Sequence, residues 1–535
     1  MRNIVLLVCL ACGLVLADAK ADAETAMREL WVNGKRVTSA KVQVVMADRE
    51  NVHHRFREWF DASVADLKRI LPEFGVELSE DTPFTILVGG DVPKALQARA
   101  QKERYPNQAA VIKVTDQGIH ITSPGARGFS KAVYTFLDRL GVRWYMPGKL
   151  GESLPEGKVA LSKGAIVEGP DFMFRTFYWG GDESHYPKEM RKEKGPWQRR
   201  VRMDNEFGFS GHSYTEQIVP PDKYGTRTPE YYSLVAGVRV APSVDPKRFY
   251  QNHQLCVSNK EVQQLAIDFA KRRLGSSELH QIISISPNGD GPFCQCEGCQ
   301  KIGTDTNQMV FLANVVARAI REEFPDDFIG YYVYDHTIWP PENMKLEPNV
   351  VPYIVNSYRR LYPGGHRVAW TFYAAPVRET ALGEIIKGWG DLGGRTAIRF
   401  NWRLPKYPFN WVYHLQDDFR FFLENKGVGT MSQSTGSFVH QGWVNYWSAR
   451  LSWDSELDIK AEEVEFYRRY YGPGAEAAKT ALASVQNRDV LKPEIPMPIE
   501  ALEKNVNSSG KPWSAFRQNH TTSDSFICSI TSSFC

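Results

Sequence analysis

The sequence predicts an α/β protein in two parts: a small N-terminal α/β sandwich domain followed by a (β/α)8 TIM-type barrel. Two rhythms and one absence lead to that reading. Residues 29–165 alternate in the order β-β-α-β-β-β-α, the pattern of a small sheet with helices on one side. From about residue 172 the rhythm changes to eight apolar runs joined mostly by amphipathic segments, which is the repeat of a (β/α)8 barrel. A doubly wound open sheet is the runner-up use of that repeat, but it more usually carries a glycine-rich phosphate turn, and the sequence has none.

Taken in order, the chain opens with a segment that reads as a secretory signal over residues 1–23. Arg2 supplies a positive start, residues 4–16 an apolar run too short to span a bilayer comfortably, and Ala17, Ala19, Ala21 and Ala23 the small residues that precede cleavage. A lipoprotein signal is the alternative, because Cys12 follows Leu10-Ala11. The expected location is therefore periplasmic or extracellular, with no stable membrane insertion after cleavage. Residues 24–167 form the N-terminal domain, with strands at 29–37, 42–46, 84–88, 110–114, 118–122 and 142–146. Its helices lie at 54–74, where Phe56, Phe60, Val64, Leu67, Ile70 and Leu71 share one face, and at 129–140.

Residues 168–480 form the barrel. Its strands are expected at 172–179, 208–213, 254–257, 281–286, 328–334, 350–356, 396–402 and 428–432. Its helices are expected at 189–205, 260–274, 306–324, 377–389, 409–425 and 443–452, with a further helix at 461–471 ended by Gly472-Pro473-Gly474. Residues 481–535 are a C-terminal extension. From residue 507 on it is rich in Ser, Thr and Asn without an apolar period, which reads as a disordered or foreign tail, as a truncated or frameshifted gene would leave.

Composition narrows the partners. Hydrophobic residues make up 42% and charged residues 24%, and the net charge of +3 is too small for this length to imply nucleic acid. The 14 Trp and 23 Tyr suit sugar faces, although most such rings fill cores.

Several segments together carry a family resemblance. Gly125-Ala126-Arg127-Gly128-Phe129, Ala132-Val133-Tyr134 with Phe136-Leu137, and residues 141–148 (GVRWYMPG) resemble the N-terminal domain of family 67 α-glucuronidases and family 20 β-hexosaminidases. The barrel segment resembles the bacterial domain-of-unknown-function 4838 family through Gly211-His212-Ser213, Pro229-Glu230-Tyr231, Gln254-Leu255-Cys256, residues 284–290 with the three cysteines after them, residues 447–453, and Tyr470-Tyr471-Gly472-Pro473. The resemblance implies a catalytic barrel behind the first domain, and a carbohydrate as its substrate. Related barrel hydrolases place their acid after the fourth strand. Family 20 enzymes carry an Asp-Glu pair there, and this chain departs from them with Asn288-Gly289-Asp290.

In a barrel enzyme the reacting groups sit at the C-terminal ends of strands. Glycoside cleavage needs two carboxyl groups about the scissile bond, about 5–5.5 Å apart for retention and about 6.5–9.5 Å for inversion. Asp290, after the fourth strand, is the expected acid, and Asp335, after the fifth, its partner as nucleophile, base or substrate orienter. His212, Asn288, His336, Tyr358, Arg359, Asn401, Trp402 and Arg403 are expected to bind the sugar, since hydroxyls take amide, acid and imidazole partners and the ring takes an aromatic face. Arg359, Arg360 and Arg403 together suit a uronic acid or a sulfated sugar. Asp182, Glu183, Asn356, Gln433 and Ser434 also fall at strand ends.

Cys294, Cys296 and Cys299 follow the fourth strand at C-x-C-x2-C spacing, and Cys256 stands near them in barrel order. Export favours disulfides that pin the strand-four loop. Four thiolates around a structural Zn²⁺ are the alternative, and a catalytic thiol the third reading. No cofactor and no catalytic metal is expected. The function expected is an exported glycoside hydrolase-like protein acting on poly- or oligosaccharides, with a non-catalytic carbohydrate-binding protein on the same scaffold as the alternative.

Overall fold

A computed structural model describes residues 27–179, 188–203, 211–225, 227–239, 254–276, 279, 282–289, 291–355, 377–379, 381–401, 412–434 and 438–486. The N-terminal unit is built on a six-stranded sheet in the spatial order Gly164–Glu168, Ala110–Val114, Gly118–Thr122, Thr85–Gly89, Ser39–Val45, Glu77–Leu78. The helices His54–Ile70 and Ala126–Arg139 lie side by side on one face. They bury Phe60, Leu67, Val133 and Phe136 against Ile86, Ile112 and Ile121. The other face is covered too. In Ala110–Val114, Ala110, Ile112 and Val114 point to the two helices, whereas Val111 joins Val92, Ala100 and Val167 under the helix Lys94–Ala100. The expected one-sided sheet is thus corrected to a sandwich with helices on both faces, because a strand that is apolar at successive positions must bury both.

The second unit is a curled parallel half-barrel in a mixed α/β fold. Six parallel strands are ordered Phe174–Trp179, Gly427–Ser434, Thr396–Asn401, Val350–Val355, Phe328–Val333, Ile282–Ser284. They correspond to the first, eighth, seventh, sixth, fifth and fourth strands expected, which is the circular order of a barrel. Their near-continuous apolar sequences split by alternation between two cores. Phe328, Tyr332, Val351, Tyr353 and Val355 fill the concave side with Phe174, Ile282 and Met431. Ile329, Tyr331, Val333, Val350 and Ile354 face outward against the helices Lys260–Gly275, Asp305–Ile320 and Ala381–Asp391. Two of those helices begin on side-chain caps: Asn259 accepts from the amides of Glu261 and Val262, and Thr304 from that of Asn307.

The complete eight-stranded barrel is not found among the described residues. The expected strand at 254–257 is only a single bridge, Tyr232 with Leu255. Its backbone is taken by the preceding segment: Cys256 N–H donates to Tyr231 O at 2.8 Å, and Ser233 N–H to Gln254 O at 2.9 Å. Those groups are then not available to neighbouring barrel strands. Of the expected strand at 208–213, the described residues 211–213 form no strand but lie beside the end of the fourth, with Ser213 N–H donating to Ser286 O at 3.1 Å. The structure also adds the hairpin Leu234–Val235 with Val238–Arg239, a helix Glu297–Ile302 that carries Cys299, and a final helix Ala475–Gln486. No helix of the described residues is long and apolar enough to cross a membrane.

Charge joins the two units. Arg175, on the first barrel strand and fully buried, donates to the Phe172 carbonyl at 2.5 Å, to Gln108 Oε1 of the first unit at 3.0 Å, and to the Arg202 carbonyl at 3.1 Å. Asp138, on the helix Ala126–Arg139, pairs with Arg143 at 3.0 Å, with Arg202 at 3.7 Å, and closely with Arg450 of the helix Phe438–Trp453. Glu462 braces Arg143 and Arg450 at 3.0 and 3.2 Å.

Asp418, on the helix Val412–Glu424, is 8% exposed and accepts Val377 N–H at 2.6 Å. Burial pushes its carboxyl up to about 8, against the pull of that amide. A raised folded value means stability that is full below the unfolded carboxylate range and lost as pH rises towards about 8. Asp418→Asn keeps an acceptor for Val377 and removes the ionisation. Unfolding midpoints measured from about pH 5 to about pH 8 should therefore fall in the wild type relative to the variant; parallel curves would refute the assignment.

Candidate functional site

The site is built where the fourth and fifth strands end. Beyond Ile282–Ser284 the chain runs on to Asn288, held to residues 211–214. Tyr214 N–H joins Ser213 N–H on the Ser286 carbonyl at 3.2 Å, and the Ser284 hydroxyl donates to Gly211 O at 2.6 Å. This brings His212 over the strand end. Its Nδ1 lies 2.5 Å from the Pro287 carbonyl, which can only accept, so Nδ1 carries a proton. The ring packs against Tyr332 and Tyr334 at centroid distances of 5.9 and 6.2 Å. Tyr334, just past the fifth strand, donates its hydroxyl to the Gly289 carbonyl at 2.8 Å. A Cβ on Gly289 would meet His212 Nε2 at 3.4 Å and Tyr334 Oη at 3.6 Å, so imidazole and phenol close over the glycine.

Asn288 is 6% exposed. Its Oδ1 accepts from the Thr215 hydroxyl at 2.9 Å and from Thr215 N–H at 3.3 Å. Its backbone exchanges two bonds with the Gln254 amide, at 2.9 and 3.0 Å. The residue therefore positions the mouth of the fourth strand.

His336 lies in the turn Asp335–Thr337 after the fifth strand, with Nε2 3.7 Å from Asp305 Oδ2 and its ring 5.8 Å from that of Phe293. Asp305 opens the helix Asp305–Ile320, where an acid meets the positive end of the helix dipole. Burial raises its carboxyl above the usual range while His336 pulls it down, and 44% of the side chain remains open to water. Burial likewise raises the carboxyl of Glu216, the neighbour of Thr215. The sequence reading missed Asp305, Glu216, Tyr334, Thr215 and Gln254. An acid at a helix start was legible for Asp305, but nothing local ties it to His336.

The structure thus gathers His212, Asn288 and Gly289 beside Tyr334, and places His336 one turn beyond the fifth strand. Asp335 and Asn401 are placed by backbone only, in that turn and at the end of Thr396–Asn401. Asp290, Asn356, Tyr358, Arg359, Arg360, Trp402 and Arg403 lie outside the described residues, as do Asp182, Glu183 and the segment 1–23. A cavity of about 380 Å³ lies between the two units, lined by Arg99, Arg139, Glu168, Asp171 and Trp453. Asp171 precedes the first strand, so this cavity belongs to the opposite end of the sheet from the strand mouths.

The expected disulfides are corrected. Cys256, Cys294, Cys296 and Cys299 are all free thiols. Cys256 Sγ is 3.6 Å from Cys296 Sγ and 3.9 Å from Cys299 Sγ, against about 2.05 Å for a bond. The four sulfurs form one cluster, all within 4.8 Å of one another. Hydrogen bonds from Cys294 and Cys299 pull the Cys256 thiol well below the usual range, and the bond to Cys256 pushes Cys299 up, as expected when several thiols share the first charge.

The family described as Domain of unknown function (DUF4838) matches residues 146–482. No curated protein matches. Similar solved structures include a family GH115 4-O-methyl-α-glucuronidase, BtGH115A, with specificity for decorated arabinogalactans, at 11% identity over 88% of this chain and 67% of that one, TM-score 0.49. A Flavobacterium johnsoniae chitobiase, FjGH20, matches at 11% identity over 86% and 70%, TM-score 0.44. A β-N-acetylhexosaminidase from Bacteroides fragilis NCTC 9343 matches at 11% identity over 85% and 92%, TM-score 0.43.

Proposed function

Since the chain belongs to the DUF4838 family, whose description carries no reaction, we propose from its own residues that it is an exported glycoside hydrolase acting on poly- or oligosaccharides. One observation carries this reading. The Tyr334 hydroxyl on the Gly289 carbonyl, 2.8 Å away and flanked by His212, ties together the ends of the fourth and fifth strands. Asp290 follows Gly289 directly in the chain, and Asp335 follows Tyr334. Two carboxylates that leave neighbouring strand mouths are what acid-assisted glycoside cleavage requires. In this reading Asp290 protonates the leaving oxygen. Asp335 acts opposite it as nucleophile or base. His212 stands at the same mouth to contact a sugar hydroxyl, with the tyrosines beside it as an apolar wall. Uronic-acid and sulfated glycans are the substrate classes that the expected arginines suit, and amino-sugar glycans the class that the resemblance to hexosaminidases adds. Export rests on the signal-like composition of residues 1–23.

The test is release of new reducing ends from a panel of polysaccharides and aryl glycosides, with Asp290→Asn and Asp335→Asn run beside the wild type. Turnover by the wild type that both variants lose supports the reading. Glycan retention without any release by the wild type overturns cleavage in favour of a binding protein.

A further inference from the structure

We propose that Cys256, Cys294, Cys296 and Cys299 form a structural tetrathiolate site for a single Zn²⁺ ion, which clamps the loop after the fourth strand onto the segment that carries Cys256. A tetrahedral zinc with bonds of about 2.3 Å separates its sulfurs by roughly 3.8 Å. Cys256 Sγ lies 3.6 Å from one neighbour and 3.9 Å from another, and no pair among the four is more than 4.8 Å apart. One sulfur set almost equally between two others is the geometry of a shared centre. Disulfides would instead draw the four into two close pairs.

The surroundings suit a charged cluster. The Leu234 amide points at Cys294 Sγ at 3.3 Å, a donor of the kind that steadies a metal-bound thiolate. The Ser258 hydroxyl lies 3.5 Å from Cys256 Sγ, 3.5 Å from Cys296 Sγ and 3.2 Å from Cys299 Sγ. The Arg239 guanidinium stands beside the Cys256 and Cys294 sulfurs, held by the Tyr232 carbonyl at 2.6 Å. Four thiolates around Zn²⁺ carry a net double negative charge, and this arginine offsets part of it.

Backbone geometry makes room for the clamp. Cys256 comes from the segment before the helix Lys260–Gly275. Cys296 and Cys299 bracket the start of the helix Glu297–Ile302. Gly298 stands between them, and a Cβ there would meet Ser258 Oγ at 2.7 Å, so only glycine lets the helix start approach. The hairpin at 234–239 closes the third side, with Gln295 N–H donating to Leu234 O at 2.8 Å. The site is independent of the glycosidase reading, since none of its ligands is a proposed reacting group.

Metal analysis of the full chain, purified without chelator, should find about one zinc per protein. A mercurial that blocks thiols should release it from the wild type, a readout that needs no variant to fold. Cobalt loaded in its place should show thiolate-to-metal charge-transfer and tetrahedral ligand-field absorption. Cys256→Ser with Cys299→Ser should lose both metal and absorption, while His336→Ala keeps them. Zinc-free protein whose intact mass reveals two disulfides overturns the proposal, as does cobalt binding without thiolate absorption, or zinc that survives the mercurial.

Discussion

Replacing Asp138 with alanine should destabilise the protein by about 3–5 kcal/mol, a fall in melting temperature of roughly 5–15 °C by calorimetry. The reason is what remains behind. Arg143, Arg202 and Arg450 converge on this carboxylate, and the side chains of Arg202 and Arg450 are only 5% and 8% exposed. Without Asp138 they repel one another, with Glu462 left to hold two of them. The acid limb should change as well. Burial opposes ionisation of Asp138, but Arg450, Arg143 and Arg202 outweigh it and hold the carboxyl well below the carboxylate range. A depressed folded value means stability that is present above the unfolded value of about 3.9 and is lost as pH falls below it. The wild type should therefore lose stability steeply below about pH 4 and the variant less so. Because Asp138 sits on the first unit and Arg450 on the second, the variant should also let the two units melt apart. A single transition with an unchanged midpoint would refute the account.

On any glycoside that the protein cleaves, Asp290→Asn should lower kcat/KM by about 10²–10⁴-fold, and so should Asp335→Asn. The two losses should differ in kind. An acid matters in proportion to how badly the leaving group needs a proton. Asp290→Asn should thus cripple cleavage of an unactivated glycan while largely sparing an aryl glycoside with an acidic phenol. Asp335→Asn should impair both substrates, because attack at the anomeric carbon is needed in each. Full activity in both variants would remove these two residues from the mechanism. Loss instead in Asp305→Asn or Glu216→Gln would move the acid to a carboxyl that burial already raises beside the same strand mouths.

Much of the architecture was legible in the sequence. The apolar runs at 172–179, 328–334, 350–356 and 396–402 predicted strands that the structure places within one or two residues. The turn Ser286-Pro287-Asn288-Gly289 after a short apolar run marked the fourth strand's mouth correctly. The run at 254–257 looked like its neighbours, yet its backbone groups are bonded to residues 231–233, a competition that a short apolar run cannot announce. His212 was legible as a polar residue at a strand end, but the proton on its Nδ1 depends on the carbonyl of Pro287, far along the chain.

By itself, then, the sequence determined the periodic elements, the order in which they follow one another, the three clustered cysteines and the polar residues due at strand ends. These are local properties, written in which neighbours are apolar and where glycine and proline interrupt them. Only the tertiary structure decided what meets across the chain: Cys256 with the other three thiols, Asp305 with His336, Tyr334 with Gly289, and Asp138 with Arg450. Such pairings depend on how loops close and on which buried donors and acceptors find partners once the layers pack. That competition is settled over the whole fold and leaves no period in the sequence.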